Sequence, residues 1–300
     1  MRVSYREEPC RSALNRVRGM PFSWSLNPYT GCSHRCTFCY VRGFEARAER
    51  PSDDRYGRSI RVKLNVAEVL QRELARPSWR REEVVVGAAT DPYQPAEGRY
   101  GLTRACLAAL ADARTPFSII TRGPLIWRDV DVLQDAALRA HVRVSFSVPT
   151  LDERVWRTTE PGTAPPRRRL DVVRRLADAG IDVGVALAPL LPGLSDRPEQ
   201  LAAVVRAARD AGARSIWAAV LNLRPGTREH FLHALAREWP EQVARFEELY
   251  AGRAYLPAAV TKPTLGQVRR LAREHAATRR PTLRPEPEPE QLVLAVSLSP

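Results

Sequence analysis

Cys32, Cys36 and Cys39 fall within eight positions of one segment, NPYTGCSHRCTFCY (Asn27 to Tyr40), and the chain holds only two other cysteines. Thiols crowded this closely suit the ligation of one inorganic centre. The C-x3-C-x2-C set stops one short of the four protein ligands of a structural zinc site. A 4Fe-4S cube has four irons, so three cysteines leave one iron without a protein ligand. An open metal position can bind a substrate or cofactor directly, whereas a fully ligated cluster is mainly an electron carrier. Two other readings stay open. One is a zinc knuckle that recruits His34 into a Cys3His set, although His34 is tightly confined between two ligands. The other is an electron-transfer or scaffold protein that holds a cluster without further chemistry. Cys106 lies inside a helical pattern and reads as a small buried hydrophobe. Cys10 lies in a leader whose structure the sequence does not indicate, and either thiol is a candidate radical hydrogen donor.

The elements that must position this loop show a repeating pattern. Short β-rich runs, Ser23 to Asn27, Val84 to Ala89, Phe117 to Thr121, Val142 to Val148, Val183 to Ala188 and Ile216 to Leu221, each end in turn chemistry. Longer segments lie between them, Val66 to Pro77, Thr103 to Ala113, Arg167 to Gly180 and Pro198 to Gly212, with apolar residues three and four apart. Gly180 and Gly212 stand where left-handed helix caps belong. Strands joined by crossover helices are parallel with right-handed connections, which predicts an open twisted sheet or a (β/α) barrel. The preferred class is α/β, a partial (β/α)6 barrel over residues 22–225 after a leader of residues 1–21. A small helical extension, residues 226–279, is expected from helical patterns at Glu229 to Leu249 and Leu265 to Ala277. Residues 280–300 form a Pro/Glu-rich tail. Its segment Arg280 to Gln291 reads as semi-rigid polyproline, and the terminal LVLAVSL is a possible edge strand.

Composition narrows the partners. The 300 residues, 44% hydrophobic, carry a formal charge of +13, and Lys63 and Lys262 are the only lysines, so the excess is guanidinium. Arginine suits phosphate contacts; an Arg- and Ala-rich genome is the alternative cause. The N-terminus lacks a signal-peptide pattern, no run approaches the roughly 18 apolar residues of a membrane span, and an odd cysteine count does not suit a disulfide framework. A cytoplasmic protein that does not enter the membrane is expected.

CSHRCTFCY, with Phe38 before the third cysteine and Tyr40 after it, resembles the cluster loop of the radical S-adenosylmethionine (SAM) enzymes. NPYTGCSHRCTFCYVR, TDPYQPAE (Thr90 to Glu97), LTRACLAAL, IITRGPLIWRDVDVL (Ile119 to Leu133), TEPG with RRRL (Thr159 to Leu170) and AGIDVGVALAPLLPGLSD (Ala179 to Asp196) together are similar to the spore photoproduct lyase-like branch over residues 22–225. The resemblance implies a 4Fe-4S cluster on Cys32, Cys36 and Cys39 whose free iron binds SAM, reductive cleavage to methionine and a 5'-deoxyadenosyl radical, and a flavodoxin- or ferredoxin-type electron donor. It also implies that Thr90 and Asp91 meet the SAM ammonium group. Ser145 and Ser147, on one face of their strand, are candidates for the ribose or methionine part, Arg169 for the carboxylate, and Asn222 for the rim near adenine. Tyr93, able to stack on a base or carry a radical, and Glu97 are the catalytic candidates. Arg122 and the Arg128–Asp129 pair are anion sites or local ion pairs. The family's labels favour DNA as substrate, and a zinc-stabilised, basic nucleic-acid-binding module without catalysis is the competing function.

Overall fold

The computed structural model describes residues 3–275 and 281–285. Their strands are β1 (Ser4–Glu8), β2 (Leu14–Arg16), β3 (Trp24–Leu26), β4 (Tyr29–Thr30), β5 (Ser59–Lys63), β6 (Val84–Val86), β7 (Phe117–Thr121), β8 (Val142–Ser147), β9 (Asp182–Leu190) and β10 (Ser215–Val220). The main sheet runs β10-β9-β8-β7-β6-β3-β2. All six expected strands are present, and β3, β6, β7, β8, β9 and β10 pair parallel in chain order. β2 adds to the β3 edge antiparallel, and among the described residues β2 and β10 do not meet, so the barrel is partial.

Side-chain alternation explains how the sheet is covered. Val144 and Phe146 of β8 and Val183, Val185 and Leu187 of β9 face one way and are wholly buried in the main core. Leu107 and Leu110 of helix Leu102–Asp112, Leu133 of Val130–Arg139, Leu176 of Pro166–Asp178 and Leu201 and Val205 of Pro198–Asp210 belong to the same core. The other face carries small residues: Ser145 of β8 aligns with Gly184 of β9 and Ser215 of β10, and Ser147 aligns with Ala186 and Trp217. Gly180 and Gly212 take φ of +83° and +90°, the conformation expected of residues that end these helices.

Two expectations need correction, and the leader holds strands that the sequence did not indicate: β1 pairs parallel with β5, which in turn pairs with β4. The helical stretch Glu229 to Leu249 is divided, because Pro240 lacks a donor and ends Thr227–Glu238 before Val243–Leu249 begins. The last helix begins earlier than the pattern suggested and spans Ala258–Glu274 with Pro263 inside it; residues 276 and 277 lie outside the described residues. Residues 281–285 have no regular secondary structure, although Leu283 N–H donates to the Gly180 carbonyl at 2.8 Å. The proposed edge strand LVLAVSL lies outside the described residues. Among them, no helix is long and apolar enough to cross a membrane.

Candidate cluster and cofactor site

The cysteine loop leaves the C-terminal end of β3, the end of a parallel sheet where (β/α) folds gather functional loops. It is built from successive tight turns: Arg35 N–H donates to the Cys32 carbonyl at 3.3 Å, and Cys39 N–H to the Cys36 carbonyl at 3.2 Å. Gly57 packs beneath it at φ +74°, and a Cβ there would lie 2.2 Å from the Cys32 carbonyl oxygen. Arg42 is buried under the loop. Its Nε donates to the Cys36 carbonyl at 3.3 Å, one terminal nitrogen reaches the carbonyls of Ser52 and Asp53 at 2.7 Å, and its guanidinium lies 4.6 Å from the Tyr56 ring centre. The Tyr56 hydroxyl in turn lies 3.6 Å from Cys39 Sγ. Sequence reasoning missed both residues, since one arginine in an arginine-rich helix and one tyrosine in a loop carry no distinguishing pattern.

A buried polar wall joins this loop to the strand ends. Gln94 Nε2 donates to the Gly31 carbonyl at 3.0 Å, while its Oε1 accepts from Ser33 N–H at 2.9 Å. Asn27 Oδ1 accepts from the backbones of Ala89 and Thr90 at 2.9 and 3.3 Å. Asp91 accepts from Tyr93 N–H at 2.9 Å, the Thr121 hydroxyl at 2.7 Å and Arg122 N–H at 2.6 Å, and it lies 3.3 Å from His34 Nδ1. Burial alone would raise its carboxyl, but His34 and these donors hold it down at about 2. Beyond it, Glu160 lies 2.6 Å from Arg122 Nε and 3.0 Å from an Arg169 terminal nitrogen. Burial pushes Glu160 up, and Arg169 and Arg122 together bring it below the usual carboxylate value.

The donor set fits an iron-sulfur cluster. Burial pushes the Cys36 thiol well up against the pull of Arg122, and negative charge on Glu160, Cys39 or Cys32 raises it further, so the three thiols feel one another. A bound metal cation supplies the charge that turns such thiols into thiolates. The Cys3His zinc alternative is not supported, since His34 Nδ1 lies 3.3 Å from Asp91 rather than being turned to the thiols. SAM fits too, because Asn222 Oδ1 and Ser33 Oγ are buried without a hydrogen-bond partner.

The remaining expected residues fall into two groups. Thr90, Ser145, Ser147 and Asn222 lie in or just beyond the alternate strands β6, β8 and β10, with Ser145 Oγ 3.3 Å from Trp217 Nε1. Arg169 is placed differently from expectation. It is fully buried and committed to Glu160, Thr163, and the carbonyls of Ser147 and Ala164. Arg122, 19% exposed at its side chain, lies over the Phe38 ring at 5.7 Å and is the accessible guanidinium. Tyr93 and Glu97, the expected catalytic pair, are both interior. Tyr93 belongs to the main core with its hydroxyl unpaired. Glu97 is wholly buried and accepts from Tyr29 at 2.5 Å, Thr103 N–H at 2.8 Å and Arg128 at 2.6 Å. The Asp-Pro turn sends this segment back beneath the sheet end, where both side chains are buried. Arg128 and Asp129 form a local ion pair at 2.7 Å, and Cys106 is buried in the core as expected.

Comparison with known proteins agrees with this arrangement. The family model described as the radical SAM superfamily matches residues 26–205. An uncharacterized protein of Mycobacterium tuberculosis is 41% identical over 258 residues, covering 85% of this chain and 76% of the relative. A radical SAM Nalpha-GlyT isomerase of Pseudomonas phage M6 is 26% identical over 169 residues, covering 56% of this chain and 33% of that protein. In fold, a spore photoproduct lyase solved with AdoMet and dinucleoside spore photoproduct superposes with a TM-score of 0.67 at 15% identity, over 90% of this chain and 79% of that one. Methylornithine synthase superposes with a TM-score of 0.51 at 13% identity, over 92% and 64%. A family match that takes in the cysteine loop and the sheet from β3 through β9 establishes that the chain belongs to the radical SAM superfamily, enzymes that work with a 4Fe-4S cluster and SAM.

Proposed function

We propose that Cys32, Cys36 and Cys39 hold a 4Fe-4S cluster by three corners and that SAM lies beside it on the small-residue face of the sheet. The pair supplies one-electron cleavage of SAM and a 5'-deoxyadenosyl radical. The residues of the chain bind and orient. Arg122, rather than Arg169, meets the SAM carboxylate, held in aim by Glu160 and by the Asp91 contact to its backbone. Thr90 meets the ammonium group, with Asp91 acting through its neighbours. Ser145, Ser147 and Asn222 serve the ribose, methionine and adenine ends. Residues 22–225 are the catalytic core and 226–279 its helical extension. What carries the reading is one juxtaposition: three cysteines on a single loop brought beside a partly accessible arginine and an unpartnered Asn222 at the mouth of a parallel sheet.

The substrate of this reading is nucleic acid, acted on in the cytoplasm with electrons from a flavodoxin- or ferredoxin-type donor. The arginine excess supports it, since such charge gives phosphate affinity that falls with salt. The spore photoproduct lyase noted above was solved with a dinucleoside, a precedent for that substrate class on this fold. The test is anaerobic reconstitution, reduction with dithionite in the presence of SAM, and measurement of 5'-deoxyadenosine with and without irradiated DNA. DNA-stimulated formation is expected. Formation without stimulation removes the substrate claim alone, and no formation from a properly assembled cluster removes the enzymatic reading.

A further inference from the structure

On the flank of the cysteine loop that faces helices Glu153–Thr159 and Thr227–Glu238, Arg35, Arg42, Arg157 and Arg237 converge with Asp54 and Glu238 on a cavity of about 300 Å3. Four guanidiniums meet two carboxylates there. Arg42 is occupied by backbone carbonyls, and Arg157 pairs along its own helix with Glu153 at 3.0 Å, both side chains exposed. The Arg35 and Arg237 guanidiniums have no hydrogen-bond or carboxylate partner among the described residues. Arg35 is also held at φ +51°, a region uncommon for a residue with a side chain, immediately before Cys36. The cavity backs directly onto the ligands: Thr37 lines it, and the Nε of Arg42 lies 3.3 Å from the Cys36 carbonyl oxygen.

We infer that this cavity is the docking point of an acidic one-electron carrier protein, with a surface carboxylate of the carrier seated among Arg35, Arg157 and Arg237. The inference rests on the cluster reading above. With a cluster held by Cys32, Cys36 and Cys39, the carrier would give one electron and be oxidised and the cluster would be reduced by it, with no bond made or broken. Arg35 and Arg237, with Arg157 held only by an exposed pair on its own helix, can seat a carboxylate of an anionic surface on the short path to the cluster. The short path to Cys36 favours a carrier over a nucleic-acid strand, because electron transfer needs that proximity and phosphate binding does not.

The test uses the full, anaerobically reconstituted protein and an acidic flavodoxin, with binding read from flavin fluorescence at low and high salt. The double variant Arg157→Glu, Arg237→Glu is expected to bind at least about tenfold more weakly and to lose most of the salt dependence. Flavodoxin-driven 5'-deoxyadenosine formation should fall with it, while dithionite-driven formation stays at the wild-type level. The neutral pair Arg157→Gln, Arg237→Gln should be intermediate, which keeps the test valid if charge reversal disturbs folding. Unchanged affinity and salt slope in both variants overturn the inference, as does absence of binding to the wild type at low salt. Loss of duplex-DNA binding with flavodoxin binding intact overturns it in favour of nucleic acid. A wild type silent with dithionite defeats the enzymatic reading instead, and the flavodoxin titration still decides the docking.

Discussion

Replacing Glu160 with Gln tests the buried wall most directly. The carboxylate takes charge-assisted hydrogen bonds from Arg122 at 2.6 Å and from the two terminal nitrogens of Arg169 at 3.3 and 3.0 Å. An amide of the same shape leaves two guanidiniums facing a neutral group, and removing one partner of a buried pair costs roughly 3–5 kcal/mol. Arg169 is wholly buried, but Arg122 retains the Ala188 carbonyl at 3.1 Å and some water, which points to the lower end, about 3 kcal/mol. For a chain of this size that lowers the melting temperature by about 6–12 °C. The folded carboxyl is depressed below its unfolded value of about 4.3, so its stabilisation is present above that pH and lost as pH falls through the folded value. The gap between wild type and variant, followed by circular dichroism and urea unfolding, should therefore be full at pH 7 and close below pH about 4. A loss under about 1 kcal/mol at pH 7, or a gap that persists in acid, would refute the reasoning.

Four further outcomes are expected. His230 is held down to about 4, chiefly by burial and then by Arg42, so the neutral form is favoured in the fold; that stability is full above about pH 6.5 and is lost toward pH 4, on the order of 3 kcal/mol in all, a slope that His230→Gln should flatten in urea titrations. Alanine at Cys32, Cys36 or Cys39 should abolish iron and sulfide content after reconstitution, whereas Cys106→Ala should leave it intact. Gly57→Ala, which puts a Cβ against the Cys32 carbonyl at a positive φ, should cost about 2 kcal/mol or more and reduce iron retention measured by colorimetric assay. Tyr93→Phe removes an unpaired buried hydroxyl, so stability should hold or rise by about 1 kcal/mol with 5'-deoxyadenosine formation retained; a folded but inactive variant would give the hydroxyl a chemical role.

The sheet could be read from the sequence because each strand from β6 to β9 is a β-branched or apolar run bounded by helical periodicity, and the cysteines could be read because their spacing is local. β1, SYREE, has no apolar period, and β5, SIRVK, alternates Ile60 and Val62 over only five residues; the two pair across 55 positions, so no single window reveals the pairing. Arg122 and Arg169 present the same chemistry in sequence; burial alone separates the one left partly accessible from the one enclosed by Glu160 and two carbonyls. Tyr93 and Glu97 had the residue types of catalysts, but the turn at Pro92 that places Asp91 at the strand end also turns them inward. The turn was legible, whereas its direction depended on the Gly87 and Gly123 backbones that pack against Pro92 and Tyr93.

The unjoined margins of the main sheet set what can approach it. With β2 reversed at one margin and β10 at the other, the small-residue face between them is bordered by two strand edges that, among the described residues, do not pair with each other.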